Sequence, residues 1–170
     1  MSFEHEYGPV VTAEQNQPSS PGSCGTGCSS GSSPAKVWIF QSSTPEADAA
    51  FTRASGVVCA VRSADCLPVL LADNAGEAIG IAHAGWRGLV DGVIENTVRA
   101  MAVPPGRMCA YLGPAIGPEA YEVGEDVREA FMAQDAAASG AFVSRGGGKY
   151  LANLYRLARL RLRALGVDAD

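Results

Sequence analysis

The stretch from Val57 to Met101 leaves this chain few folds to choose from. Val57–Val61, Leu67–Leu71 and Ala78–Ala82 are short, nearly continuous apolar runs, the pattern of strands buried in a sheet. The corner Ser63-Ala64-Asp65-Cys66 separates the first two, and Asp73-Asn74-Ala75-Gly76 supplies turn residues between the second and third. A connection that short predicts an antiparallel hairpin. The period then changes: Leu89, Val90, Val93, Ile94, Val98 and Met101 recur at the spacing of one helical face, and Pro104-Pro105-Gly106 stops that helix. An amphipathic helix directly after a hairpin has to bury its apolar face on the sheet, which makes the class α/β.

The remainder extends this pattern. Met108–Leu112 reads as a strand, Gly113–Pro118 as a rigid loop and Tyr121-Glu122-Val123 as a short strand. Gly124-Glu125-Asp126 opens a helix through about Gln134, with acids in the first turn where the helix dipole favours them. Residues 136–148 are small and glycine-rich, a predicted loop. A last helix from Leu151 to Leu165 carries Leu151, Leu154, Tyr155, Ala158, Leu162 and Leu165 on one face, with Gly166 as its stop. Its Arg156, Arg159, Arg161 and Arg163 read as a solvated face. Upstream, residues 18–34 are almost wholly Ser, Gly and Pro and have nothing apolar to offset the entropy of ordering. Residues 1–34 are therefore a predicted flexible tail, and 35–170 a single domain whose order begins at the β-rich run Val37-Trp38-Ile39-Phe40. Thr44-Pro45-Glu46 reads as a turn or helix start. A chain of 170 residues, 47% hydrophobic, suits one core.

Several function classes fall away. No run of about 18 apolar residues and no basic segment leading into an apolar one is present, so neither a membrane span nor a secretory signal is predicted, and a cytoplasmic location is expected. With 13 Lys and Arg against 18 Asp and Glu, net charge −5, the chain lacks the basic surface of a nucleic-acid binder. A small-molecule partner is expected instead. Five cysteines are an odd count that does not suit a disulfide framework and leaves thiols for metal or chemistry.

Two clusters carry the chemistry: Ser63-Ala64-Asp65-Cys66-Leu67-Pro68 and His83-Ala84-Gly85-Trp86-Arg87-Gly88. If their strands are neighbours, Cys66 and His83 come within reach of each other. A thiolate beside an imidazole can hold zinc with a further ligand, work as nucleophile and base, or be simply a buried Cys and a satisfied His. Gly85 and Gly88 allow a ligand or backbone close approach, and Arg87 at a helix start suits a phosphate or carboxylate. Trp86 reads as core or as a stacking wall for a planar base. The Gly113–Gly124 loop can line a pocket, and Glu122 reads as an exposed carboxylate. Cys59 and Cys109 read as core. Cys24 and Cys28 with His5 offer a weaker metal clip.

These residues resemble a known family. SADCLPVLL from Ser63, HAGWRGLVDGVIENTV from His83 and LGPAIGPEAYEVG from Leu112 look like three signatures of the laccase-domain, or multicopper polyphenol oxidase, family, described as zinc-dependent purine nucleoside enzymes and including a peptidoglycan editing factor branch. The similarity runs from about Pro45 to Val167. It implies a mixed-sheet α/β sandwich resembling the cytotoxic necrotising factor catalytic domain, truncated here at both ends. It also implies phosphorolysis of purine nucleosides, including methylthioadenosine, with phosphate as co-substrate, and deamination of adenosine, at zinc held by one Cys and two His. Matched position by position, the Cys is Cys66 and the second His is His83, with Arg87 beside them. The first His has no counterpart, because Val37-Trp38-Ile39-Phe40-Gln41 is followed by Ser42-Ser43.

Three readings follow. The first is a zinc-dependent purine nucleoside phosphorylase in which Cys66 and His83 hold the metal, Arg87 and the helix start hold phosphate, and the Gly113–Gly124 loop walls the pocket. The second is a metal-free Cys66–His83 hydrolase of the peptidoglycan editing type, and the third a catalytically silent copy that keeps the fold. Multicopper phenol oxidation fits worst, since the chain has two histidines and that chemistry consumes many.

Overall fold

The computed structural model describes Val10–Thr12 and residues 47–169. Its main sheet has five strands, β1 (Val10–Thr12), β2 (Ala49–Thr52), β3 (Leu67–Asp73), β4 (Ile79–Ala84) and β5 (Met108–Leu112), in the order β1-β2-β4-β3-β5. β1 is parallel to β2 and the other pairs are antiparallel, so the sheet is mixed. A second, antiparallel sheet joins β6 (Glu122–Gly124), β7 (Phe142–Gly146) and β8 (Lys149–Ala152) in the order β6-β8-β7. The helices are α1 (Trp86–Val90), α2 (Val93–Met101), α3 (Glu125–Met132) and α4 (Leu154–Leu165). The α/β class and the β3–β4 hairpin are as the sequence predicts.

Alternation along the strands separates two faces of the main sheet. Leu67, Val69, Leu71, Ala82 and Ala84 are buried and share a core with Ile94, Val98 and Met101 of α2 and Leu154, Ala158 and Leu162 of α4. Each such leucine or isoleucine contributes about 1.5–3 kcal/mol through removal from water. On the opposite, outer face Leu70 and Ile79 are each 41% exposed and Tyr111 is 64% exposed.

Four elements depart from the sequence-based expectation. Val57–Val61 is not a strand, apart from a single bridge at Val57: the place beside β4 is taken by β2, and Val58 is left exposed. The helix after the hairpin is broken at Gly92, whose left-handed backbone at φ +79° separates α1 from α2, and Ala102 at φ +50° ends α2. The glycines of residues 136–148 form a hairpin rather than a loop, β7 turning at Gly147-Gly148 into β8 after a 3-10 turn over Ala136–Ala141. Leu151 therefore belongs to β8, and α4 starts at Leu154, capped by Asn153, whose side chain accepts a hydrogen bond from the Arg156 N–H at 2.9 Å.

Val10–Thr12, inside the stretch read from sequence as a tail, pairs in register with Ala49–Phe51 as a strand of the main sheet. Val37–Phe40, the Cys24/Cys28/His5 clip and the Gln41-Ser42-Ser43 segment lie outside the described residues. The arginines of α4 bear out the solvated-face reading only in part: Arg156 and Arg163 are exposed, whereas Arg159 is half-buried and Arg161 lies 3.7 Å from Glu95 of α2 and donates a hydrogen bond to Gln134.

Candidate active site

Register builds the site. Pro68 stands opposite His83 and Leu67 opposite Ala84, so Cys66, one residue before β3, arrives beside Gly85, one residue after β4. The approach is tight: a Cβ on Gly85 would lie 2.8 Å from Cys66 Sγ. A Cβ on Gly88 would likewise lie 3.0 Å from the His83 carbonyl oxygen. These two glycines therefore make room for the protein's own atoms. The Cys66 thiol is free and half-buried, and its carbonyl accepts a hydrogen bond from the Ser63 hydroxyl, which closes the corner.

β2 contributes a residue that the sequence did not single out. With Ala49 opposite Ala82, Asp48 falls opposite His83. The His83 N–H donates to the Asp48 carbonyl at 2.7 Å, and Asp48 Oδ1 stands 3.5 Å from His83 Nδ1. A carboxylate on the Nδ1 side favours the tautomer with its proton there and leaves Nε2 with a free lone pair for a ligand or a proton. The imidazole is 33% exposed, so a small molecule can reach it. The signal was present as an acid just before a strand, but reading it required knowing that Ala49–Thr52 is a strand and lies next to β4.

Arg87 packs its guanidinium over the Trp86 ring, 4.6 Å from the centroid, at cation–π distance. The Trp86 ring also packs on the core. α1 has five residues, too few for a strong dipole, so an anion here would be drawn by the Arg87 charge and not by the helix start. Tyr121 lies in the field of both reactive groups. Burial pushes its hydroxyl pKa up, the negative charge of a Cys66 thiolate pushes it further, and Arg87 opposes. Tyr121 thus keeps its proton and remains a donor.

The loop after β5 is hydrogen-bonded to the Cys66 corner and to α4. Ile116 N–H donates to the Asp65 carbonyl at 3.0 Å, Gly113 N–H to the Pro68 carbonyl at 2.9 Å, and Ala115 N–H to the Tyr155 hydroxyl at 2.8 Å. Between loop and sheet lies an open groove of about 580 Å³ lined by Ser63, Asp65, Pro68, Leu70, Tyr111 and Ile116, among others. Cys66 and His83 do not line it. They adjoin it through Asp65, the chain neighbour of Cys66, and Pro68, the register partner of His83.

Glu122 is exposed on β6, as expected, whereas Cys59 and Cys109 are not core. Cys59 lies half-buried in the irregular segment before β3, and Cys109 is exposed because the alternation of β5 buries Met108 and Ala110 instead.

For zinc, Cys66 and His83 supply two donors. Among the described residues no group of three His, Cys, Asp or Glu is placed to hold a metal ion. Zinc sites take three or four protein ligands, so the described residues do not complete one.

A fold built on this hairpin, with Cys66 and His83 at its open end, defines a class, and comparison with known proteins gives it a family. The profile of the family described as Multi-copper polyphenol oxidoreductase laccase matches residues 28–170, and the chain belongs to that family. It is 57% identical over 122 residues to the purine nucleoside phosphorylase YfiH of Escherichia coli (strain K12), covering 72% of this chain and 50% of that protein. It is 52% identical over 124 residues to a purine nucleoside phosphorylase of Pseudomonas aeruginosa, covering 72% and 51%. Among solved structures, a Neisseria meningitidis protein superposes with a TM-score of 0.73 at 56% identity, over 74% of this chain and 52% of that one. A hypothetical protein YfiH from Bacillus licheniformis does so with a TM-score of 0.66 at 28% identity, over 73% and 50%. The chain spans about half the length of the curated relatives it matches. Among the described residues no helix is long and apolar enough to cross a membrane.

Proposed function

We propose that this chain is a purine nucleoside phosphorylase working at the corner of Cys66, His83 and Arg87. The observation that carries the reading is the three-strand register of β2, β4 and β3, which sets Asp48, His83 and Cys66 at one end of the sheet. The names of the relatives support it. In phosphorolysis a phosphate oxygen bonds to the ribose anomeric carbon as the bond to the purine breaks. The bonding electrons leave with the base, which takes up a proton. Arg87 would hold and orient the phosphate. The protonated Tyr121 hydroxyl would hold a polar atom of the substrate, while His83, kept in one tautomer by Asp48, would present its Nε2 as a ligand.

Zinc is the cofactor proposed for Cys66 and His83, with its remaining ligands from outside the described residues. No step above is routed through it. Deamination of adenosine and phosphorolysis of methylthioadenosine are the finer activities proposed for the same corner, and a cytoplasmic location accompanies them.

The test is phosphate-dependent release of free base from adenosine, inosine and guanosine, followed by chromatography, beside Cys66→Ala and zinc per chain by elemental mass spectrometry. The expected result is release that needs phosphate, drops on the order of 100-fold in Cys66→Ala and accompanies about one zinc per chain. Base release that Cys66→Ala leaves intact refutes the assignment of the site, and no release from any nucleoside means a silent copy. The Asp48–His83 contact also favours a second reading. A carboxylate that orients the imidazole is what a metal-free Cys–His hydrolase uses, and amide hydrolysis by zinc-free protein, abolished by Cys66→Ser, would establish it.

A further inference from the structure

We infer that the groove beside the reactive pair seats the base of the nucleoside, with Tyr111 as the surface on which the ring stacks and the Asp65 carboxylate as the acceptor for N–H groups on its edge. The inference rests on the reading that the ribose is held at Cys66 and His83. Register places the groove. Tyr111 stands opposite Leu70, and Leu70 opposite Ile81, so the three side chains form one row across β5, β3 and β4 on the outer face of the main sheet. His83 follows Ile81 by two residues and stands opposite Pro68, which puts both on that same face, one row nearer the open end. Successive rows lie about 7 Å apart along a strand, comparable to the span from an anomeric carbon to the far edge of its purine. Arg87, in the first turn after β4, lies past His83 at the open end of the hairpin. A phosphate at Arg87 and a base in the groove therefore flank the sugar, as a displacement at the anomeric carbon needs.

The lining selects the ligand. At about 580 Å³ the groove has the volume of a small-molecule site. Its walls are apolar at Pro68, Leu70, Ile81 and Ile116, and the Tyr111 side of it offers a ring on a residue 64% exposed. An open aromatic face binds a flat ring by stacking. Trp86 is not free for this, because the Arg87 guanidinium lies 4.6 Å from its ring centroid and the ring packs on the core. Among the described residues that line the groove, Asp65 carries the only charge. A negative charge repels phosphate, which is left to Arg87, and attracts the N–H groups that adenine, hypoxanthine and guanine all present. Among the described residues the Asp65 carboxylate and the Tyr111 hydroxyl have no hydrogen-bond or ion-pair partner, so both are available to a ligand.

Calorimetric titration of the full chain in phosphate-free buffer tests this, with adenosine and with 6-methylpurine riboside, in which a methyl group stands where adenosine has its amino group. Wild-type protein is expected to bind adenosine about 10-fold more tightly, and equal affinities overturn the Asp65 assignment whether or not any variant folds. Asp65→Ala is expected to bring the two ligands to the same affinity, and a preference that survives it overturns that assignment too. Tyr111→Ala is expected to weaken both on the order of 10-fold, with Tyr111→Phe retaining them. Both side chains are exposed, and the Tm of each variant is read beside its titration. Unchanged affinities in folded Tyr111→Ala overturn the inference, as does failure of folded wild-type protein to bind either nucleoside. Base release assayed in parallel separates the two readings. The expected binding pattern without phosphate-dependent release keeps the subsite and refutes the phosphorylase, whereas release whose KM is unchanged in Tyr111→Ala refutes the subsite alone.

Discussion

Substituting Gly85→Ala probes the tightest contact of the site. Gly85 has φ −66° and ψ 170°, extended backbone that alanine adopts freely, so the cost comes from packing alone. The new Cβ would sit 2.8 Å from Cys66 Sγ, short of ordinary contact by roughly an ångström. Overpacking of this kind costs about 1–3 kcal/mol. In a Cys66→Ala background the nearest atom is the residue 66 Cβ at 3.6 Å, an ordinary contact, and Gly→Ala at a compatible position then stabilises by about 0.4–1 kcal/mol through the unfolded chain. The assay is a double-mutant cycle by urea unfolding followed by circular dichroism, with a coupling of at least about 1 kcal/mol between the two positions expected. An equal cost of Gly85→Ala in both backgrounds would show that Sγ is not what Gly85 accommodates, and the geometry of the corner would have to be redrawn.

The neighbouring contacts give three further expected outcomes. Asp48→Ala, which removes the orienting carboxylate from His83 Nδ1, should lower kcat for base release about 10- to 100-fold with KM less affected, and Asp48→Asn should restore part of it; unchanged steady-state kinetics would remove Asp48 from the site. Tyr121 should titrate above the ordinary tyrosine value in a difference titration at alkaline pH against Tyr121→Phe. Its value should rise further in Arg87→Ala and fall in Cys66→Ala, and the reverse order would contradict the charges assigned around it. Arg107→Ala removes a guanidinium nitrogen 3.0 Å from the fully buried side chain of Asp73. Because Arg107 is half-exposed and Asp73 keeps the Ala75 N–H at 3.2 Å, the loss should be about 1 kcal/mol, read as a lower Tm.

Much of the fold was legible because period and punctuation agreed. The β3–β4 hairpin was written by two apolar runs around Asp73-Asn74-Ala75-Gly76, and α2, β5 and α3 by their spacing and caps. The errors share a cause. Val57–Val61 looks more like a strand than Ala49–Thr52 does, yet Ala49–Thr52 holds the ladder beside β4, and a continuous apolar run of that length does not say which edge it joins. The glycines near 146–148 signal a loop or a hairpin turn equally, and only the pairing of β7 with β8 decides. At the site, Cys66, His83 and Arg87 were legible as reactive types at strand ends. Asp48 was not, because its role depends on a register between strands about thirty residues apart, which no local pattern carries.

The hairpin also acts as a ruler. Its turn lies at Asp73–Ala78, while Cys66 and His83 lie at the far, open end, so their juxtaposition is measured out rung by rung from Ala72↔Ile79 to Leu67↔Ala84. A slip of a single residue anywhere along that length would turn the His83 side chain toward the core and set Cys66 against the wrong neighbour. An added or lost residue at the tip is therefore harmless only if the turn absorbs it, and a change most distant from the reactive pair is the one best able to dismantle it.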